Sequence, residues 1–178
     1  LVCLTVLPVL CLVVWIMHRL FSKGPLFFKQ DRIGKNGDVF QIYKFRSLHV
    51  DYGDEARQVS DNDDRIFKGG SFIRKSSLDE IPQFINVLRG EMSVVGPRPH
   101  MGQHDDEFSV FYEGYGQRRY VKPGVTGLAQ SKGFRGEVNC SLDLRHRARL
   151  DRFYVTHWDF GFDLRIIVMT FLSVVRPP

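Results

Sequence analysis

Ser77-Leu78-Asp79-Glu80-Ile81-Pro82-Gln83 lies near the middle of a 178-residue chain and sets two adjacent carboxylates where a helix is expected to begin. Arg74, Lys75, Arg89 and Arg98 are close by in sequence, and acids among cations suggest phosphate chemistry. The stretch also has a purely local reading. Ser77 and Glu80 have the spacing of a capping box, and an Asp in the first turn suits the helix dipole. Downstream, Ile81, Ile85 and Leu88 fall on one stripe and Arg89-Gly90 supplies a basic last turn and a stop, which predicts a helix beginning near Asp79. Neighbouring helical residues point about 100° apart, so Asp79 and Glu80 are expected to take distinct roles rather than to share one atom.

Upstream, Gly34-Lys35-Asn36-Gly37 separates Leu26–Ile33 from Val39–Arg46, and Asn-Gly between β-prone runs predicts a hairpin. The Gly-Lys pair lacks the spaced glycines and the Ser/Thr of a phosphate loop and reads as a plain turn. Lys44 and Arg46, two apart, are predicted on one strand face with Tyr43 and Phe45 on the other. That face is either a two-cation clamp for a diphosphate or a solvated surface. Asp61-Asn62-Asp63-Asp64 lacks the glycine and closing glutamate of a calcium loop and reads as a solvated acidic turn. His100 and His104 have Gly102 between them and no third ligand, so a zinc site is set aside.

Both ends are apolar. From Leu1 to Met17 there is no charge, and His18, Arg19 and Lys23 follow at once, as at a cationic headgroup surface. A straight span needs about 20 apolar residues, and Pro8 interrupts this run, so a bent helix that enters and leaves by one leaflet is the preferred reading. The alternatives are a spanning helix cut at its start, a buried core helix, and a signal peptide, which lacks a basic start and a cleavage site here. At the other end Leu164, Ile167, Val168, Phe171, Leu172 and Val175 recur at helical spacing after Trp158, Phe160 and Phe162. That stripe faces either a core or a bilayer interface.

The chain is long enough for one domain with a real core, and 43% hydrophobic with 25% charged residues is an ordinary globular mixture. A formal charge of +5 favours an anionic partner. Arg145, His146, Arg147, Arg149 and Arg152 form a cationic run beside Phe153 and Tyr154, but no RNA-binding signature accompanies it, so a headgroup-facing surface is preferred and nucleic acid is not expected. Cys3, Cys11 and Cys140 suggest neither a disulfide framework nor a metal knuckle, which fits a reducing, cytosolic setting. Because it opens on Leu1 and stops at Pro177-Pro178, the chain is expected to be a piece of something longer.

Five phrases occur together: Gly24-Pro25-Leu26-Phe27-Phe28-Lys29-Gln30-Asp31-Arg32-Ile33-Gly34; Tyr43-Lys44-Phe45-Arg46-Ser47; Ser77 through Gln83; Asn86-Val87-Leu88-Arg89-Gly90-Glu91-Met92-Ser93-Val94-Val95-Gly96-Pro97-Arg98-Pro99; and Lys122-Pro123-Gly124-Val125-Thr126-Gly127-Leu128-Ala129-Gln130. In this order they resemble the bacterial sugar transferases, the monotopic polyprenyl-phosphate phosphoglycosyl transferases. His100 after Arg98-Pro99, and Arg135-Gly136-Glu137, resemble the branch that moves hexose 1-phosphates in capsule and exopolysaccharide assembly, whose members often carry extra spans and a soluble domain ahead of the catalytic part. Ser131-Lys132-Gly133-Phe134-Arg135, and Leu7 before Pro8, depart from the family pattern.

The resemblance implies an enzyme in which Asp79 attacks the β-phosphate of a UDP-sugar, releases UMP and holds the sugar phosphate covalently until polyprenyl (undecaprenyl) phosphate takes it. An aspartate of ordinary pKa, about 3.9, needs no base for this at neutral pH. Mg²⁺ is the implied cofactor, with Asp79 and Glu80 as its ligands. Arg74, Arg98 and Lys44 or Arg46 are the implied phosphate and uridine ligands, and the Pro123-Gly124 and Thr126-Gly127 turns are expected at the site mouth. Membrane lipid is a further partner, oligomers are allowed, and the place implied is the cytoplasmic face of the inner membrane. The expected fold is α+β and mostly helical: a kinked re-entrant membrane helix over 1–22, then a catalytic domain over 23–178 with a β-hairpin and interfacial amphipathic helices. The rivals are a non-catalytic membrane-surface scaffold of the same fold and a Mg²⁺-dependent phosphodiesterase.

Overall fold

The N-terminal apolar run folds as one 20-residue helix, α1 (Val2–Phe21), which continues through Pro8. Leu7, Val14 and His18, spaced by seven and four, are its buried positions, whereas Val9, Leu12 and Leu20 on the opposite side are 59–70% exposed. Both sides are apolar, so packing against protein satisfies only one of them. Among the described residues no helix is long and apolar enough to cross a membrane. The computed structural model describes residues 2–49, 63–112, 114–134 and 141–175. The fold is mixed α and β, mostly helical, with two small two-stranded sheets.

The hairpin forms where Asn-Gly asks for it. Strands β1 (Phe27–Ile33) and β2 (Val39–Phe45) pair, and between them Asn36 and Gly37 both take positive φ, 56° and 89°. The Asp38 N–H closes the turn on the Lys35 carbonyl at 3.1 Å. Positive φ at both central residues is what Asn-Gly tolerates and most pairs do not.

By its contacts the chain divides into two units, one of Leu1–Lys29 with Tyr43–Ile85 and one of Gln30–Ile42 with Asn86–Pro178. In the first, Leu7 and Val14 of α1 cluster with Phe45, Phe67 and Ile73, and Leu78, Ile81 and Ile85 pack on them. Burying each such side chain fully is worth roughly 1.5–3 kcal/mol. Ile73 lies on α2 (Gly70–Lys75), and after a short 3₁₀ turn the chain enters α3 (Gln83–Leu88). The expected stripe is therefore only half realised: Ile81 and Ile85 face the core, but Leu88 is 75% exposed. Gly90, at φ 78°, supplies the stop.

In the second unit β3 (Ser93–Val95) and β4 (Gly124–Thr126) run parallel, with Ser93 opposite Gly124 and Val95 opposite Thr126. Pro123-Gly124 and Thr126-Gly127, expected as turns at a site mouth, thus frame a strand. The backbones touch there: a Cβ on Gly96 would stand 2.5 Å from the Lys122 carbonyl, and one on Gly124 2.1 Å from the Gly96 nitrogen. Beyond α4 (Gly102–Phe111) and α5 (Leu128–Ser131) come the two long helices α6 (Ser141–Thr156) and α7 (Phe160–Val175). Val95, Leu128, Tyr154 and Ile166 make the core between them. The Tyr154 hydroxyl donates to Asp163 Oδ1 at 2.8 Å, tying α6 to α7. Of the α7 stripe, Leu164, Ile167, Val168, Phe171 and Leu172 are all 41–67% exposed, whereas Ile166 of the same helix is fully buried in the core.

Candidate active site

The first unit gathers Lys44, Arg74, Asp79 and Glu80 from three consecutive features. Lys44 is on β2, Arg74 is in the last turn of α2, and the acids lie in the turn Leu78–Glu80. The capping box predicted for this stretch does not form. Ser77 has φ 55° and ψ 18° and makes no side-chain cap, because it is already employed as the left-handed residue that ends α2, its N–H bonding the Arg74 carbonyl at 2.9 Å. A capping Ser needs extended backbone. Left-handed backbone at a non-glycine residue costs about 1–3 kcal/mol, and here it turns the chain directly into Asp79.

Glu80, freed from capping, reaches Lys44: Nζ to Oε1 is 3.0 Å, with the two side chains 17% and 18% exposed. Asp79 is 9% exposed. The neighbouring acids therefore differ in burial. Arg74 Nη1 lies 3.4 Å from Ser47 Oγ. Among the described residues no group of three or more His, Cys, Asp or Glu side chains is disposed to hold a metal. Asp79 and Glu80 fit one only where substrate phosphate oxygens complete its shell, which is the donor set Mg²⁺ takes.

The clamp of Lys44 and Arg46 is corrected by the structure. Arg46 lies past the end of β2, is 5% exposed, and directs all five of its N–H groups at protein oxygens. Nε donates to the Pro25 carbonyl at 2.8 Å, Nη1 to Ser22 Oγ and the Leu48 carbonyl at 2.7 and 2.8 Å, and Nη2 to the Ser22 and Lys23 carbonyls at 3.0 and 3.2 Å. His18 Nε2 meets the Arg46 carbonyl at 2.8 Å. Arg46 thus fastens the exit of α1 to the strand that carries Lys44, and no donor remains for a diphosphate.

In the second unit Arg98 belongs to a turn whose four successive carbonyls are all engaged. Gly124 N–H holds the Pro97 carbonyl at 2.9 Å, Arg118 Nη2 that of Arg98, Arg32 Nη1 that of Pro99 at 3.4 Å, and Ile33 N–H that of His100 at 3.0 Å. Arg118, 7% exposed, also bonds Asp151 at 3.2 Å and reaches His100 Nδ1 and the Tyr115 hydroxyl, each at 2.6 Å. Burial, then Arg118, then Arg32, Arg98 and Arg147 hold the His100 imidazole well below its ordinary pKa, so it is neutral and accepts. Burial pushes the Asp151 carboxyl up to about 6 against the pull of Arg118 and Arg147. Burial and then the charge of Arg98 lower Arg147. Arg32, Arg98, Arg118 and Arg147 thus all act on one imidazole, with the Asp151 carboxylate among them.

Other expectations meet different outcomes. His100 is committed to Tyr115 and Arg118, and the side chain of His104 lies outside the described residues, as do Asp61, Asn62, Arg135-Gly136-Glu137 and Cys140. Asp63 is not solvated: 6% exposed, it takes Arg65 Nε and Nη2 at 2.9 and 2.7 Å. The cationic run is split, with Arg145, His146, Arg149 and Arg152 exposed and Arg147 buried. Arg118 and Asp151 escaped the reading of the sequence. The available signal was the stripe Leu144, Arg147, Ala148, Asp151, whose helical spacing is that of a core face, with two charges built into it.

Known proteins are similar to this chain over most of its length. Relatives include the UDP-glucose:undecaprenyl-phosphate glucose-1-phosphate transferases of Xanthomonas campestris pv. campestris, 47% identical over 159 residues, 88% of this chain and 33% of that protein, and of Escherichia coli (strain K12), 43% identical over 171 residues, 96% and 37%. The exopolysaccharide production protein PSS of Rhizobium leguminosarum bv. phaseoli is 41% identical over 175 residues, 96% of this chain and 88% of that protein. The chain spans about a third of the length of the first two relatives. A family model described as bacterial sugar transferase matches residues 1–177, and with the five phrases each placed in this fold, the chain belongs to the bacterial sugar transferase family.

Proposed function

We propose that this chain transfers a sugar 1-phosphate from a UDP-sugar to polyprenyl phosphate at the cytoplasmic face of the inner membrane, and so initiates assembly of a polysaccharide or glycoconjugate. The observation that carries the reading is the pairing of a 9% exposed Asp79 with a neighbour, Glu80, tethered to Lys44. Two adjacent acids in unlike surroundings suit two tasks. An Asp79 carboxylate oxygen attacks the phosphorus that bears the sugar, the bond from that phosphorus to the bridging oxygen breaks, and UMP departs. A polyprenyl phosphate oxygen then attacks the same phosphorus and the aspartate leaves as carboxylate. The product is a polyprenyl diphosphate sugar.

Anions must meet at every stage, so positive groups have to be in place beforehand. Arg74 and Arg98 are the proposed ligands of the donor's phosphates and uridine, with Lys44 fixing Glu80. Asp79 and Glu80 would hold Mg²⁺ together with substrate phosphate oxygens, and that ion, when bound, supplies charge neutralisation at the phosphates. A lipid acceptor needs a protein that meets the membrane. The exposed apolar sides of α1 and α7 support that placement, and in the proposed arrangement α1 enters and leaves by one leaflet. The names of the relatives make UDP-glucose the first donor to test.

The decisive experiment is a stalled reaction with UDP-glucose and Mg²⁺, analysed by mass spectrometry, beside UMP release with polyprenyl phosphate in vesicles. A hexose-phosphate adduct on Asp79, absent in Asp79→Asn together with UMP release, is the expected result. An adduct on another residue, or full turnover by Asp79→Asn, would overturn the assignment. UMP released with sugar phosphate passing to water despite the lipid acceptor would favour the phosphodiesterase.

A further inference from the structure

We propose that Arg118, itself held by Asp151, is a positioning residue that keeps the Arg98 turn in the conformation that receives the donor's phosphates. This rests on the reading of Arg98 as a phosphate ligand. The turn Pro97-Arg98-Pro99-His100 has prolines flanking the arginine, and the Arg118 side chain reaches two of its residues, donating to the Arg98 carbonyl and to His100 Nδ1 at 2.6 Å. Its guanidinium is used from both ends. Nη2 spans the Arg98 carbonyl and Asp151, and Nη1 spans His100 and the Tyr115 hydroxyl, over whose ring the guanidinium carbon lies 5.0 Å from the centroid.

Arg118 is 7% exposed, and the cleft it lines with Arg98, His100, Asp105 and Gly34 has about 10 Å³ of free volume, so in the proposal Arg118 works behind Arg98 rather than on a ligand. Its effect on any ligand therefore passes through Arg98. A lysine cannot replace it, because an ammonium lacks the planar fork that serves a carbonyl, a carboxylate, an imidazole and a hydroxyl together. A buried Arg–Asp pair adds little to stability over a well-packed apolar pair, and its clearest use is to specify one arrangement. Here the arrangement specified is a turn with four consecutive carbonyls engaged and a half-buried Arg98 within it.

The test uses the full chain in phospholipid nanodiscs. Arg118→Lys and Asp151→Asn should speed amide exchange at Arg98 and His100 and raise KM for UDP-glucose about tenfold with kcat altered less than about threefold, the split expected when substrate placement is lost. In an Arg98→Ala background the same substitutions should add less than about twofold, since the residue they act through is gone. Equal losses in both backgrounds, or exchange at the turn unchanged from the parent, would overturn the proposal. Should Arg118→Lys fail to fold, Asp151→Asn carries the same three readouts. If Arg98→Ala leaves KM unchanged, the phosphate reading of Arg98 falls and the purpose assigned to Arg118 falls with it. The exchange result then still reports whether the turn is held.

Discussion

Lys44 Nζ and Glu80 Oε1 lie 3.0 Å apart, joining strand β2 to the turn that carries Asp79. If the bond serves to orient Glu80, Lys44→Met and Glu80→Gln should each lower turnover roughly 10–100-fold, and the double variant should be no worse than either. Glu80→Gln should also move the Mg²⁺ titration of UMP release to higher concentration. A titration that stays in place would leave Glu80 as a tether for Lys44 and nothing more.

Arg46→Ala strands five acceptors, four of them backbone carbonyls at the exit of α1 and just past β2. The expected loss of stability is about 3 kcal/mol or more, read as a fall in the melting midpoint, with Arg46→Lys recovering part of it. In Arg46→Lys protein that remains folded, KM for the UDP-sugar should stay near the parent value. A raised KM with an unshifted melt would return Arg46 to the substrate.

His100, half-buried among arginines, makes the fold sensitive to acid. Its pKa is lowered in the folded chain by burial and by Arg118, so below about pH 6.5 the unfolded chain binds a proton that the folded one refuses, and stability falls by up to roughly 1.4 kcal/mol per pH unit. Asp151, raised to about 6 by burial, works in the other direction, its contribution improving as pH falls toward 4. The two are separated by His100→Gln, which should remove the His100 loss and leave stability rising as pH falls from about 6 toward 4 in melting curves. An identical slope in the variant would refute the His100 assignment.

Gly124→Ala puts a methyl group 2.1 Å from the Gly96 nitrogen, in backbone that has nowhere to move without breaking the β3–β4 register. We expect a loss of roughly 3 kcal/mol or more, or failure to fold, in urea unfolding. Gly116→Ala, with nothing within 4 Å of the added carbon, is the control.

Leu164→Glu and Phe171→Glu alter side chains that are 50% and 67% exposed, so the fold should tolerate both. If the α7 stripe enters the lipid interface, each should weaken vesicle binding about tenfold or more, the equivalent of one buried apolar side chain. Unaltered binding would leave membrane attachment to α1.

What could be read from residues alone was local. Asn36-Gly37 specified a turn because its two positive φ angles are paid for by the residue types themselves, Gly90 specified a helix stop, and the spacing of Leu164 to Leu172 specified a helical face. Identifying that face as exposed required the fold, since period reports which residues share a side and not what covers it. Ser77 shows the limit from the other direction: its spacing to Glu80 matched a capping box, yet the end of α2 two residues earlier claimed its backbone first. The arginines show it most clearly. Arg46, Arg98 and Arg118 look alike in sequence, but one is spent on the exit of α1, one stands in a turn, and one bonds that turn, with partners 20 or more residues away in chain for the contacts that decide the matter. A guanidinium's role is set by which oxygens the folded chain brings within 3 Å of it, and that is a property of tertiary structure.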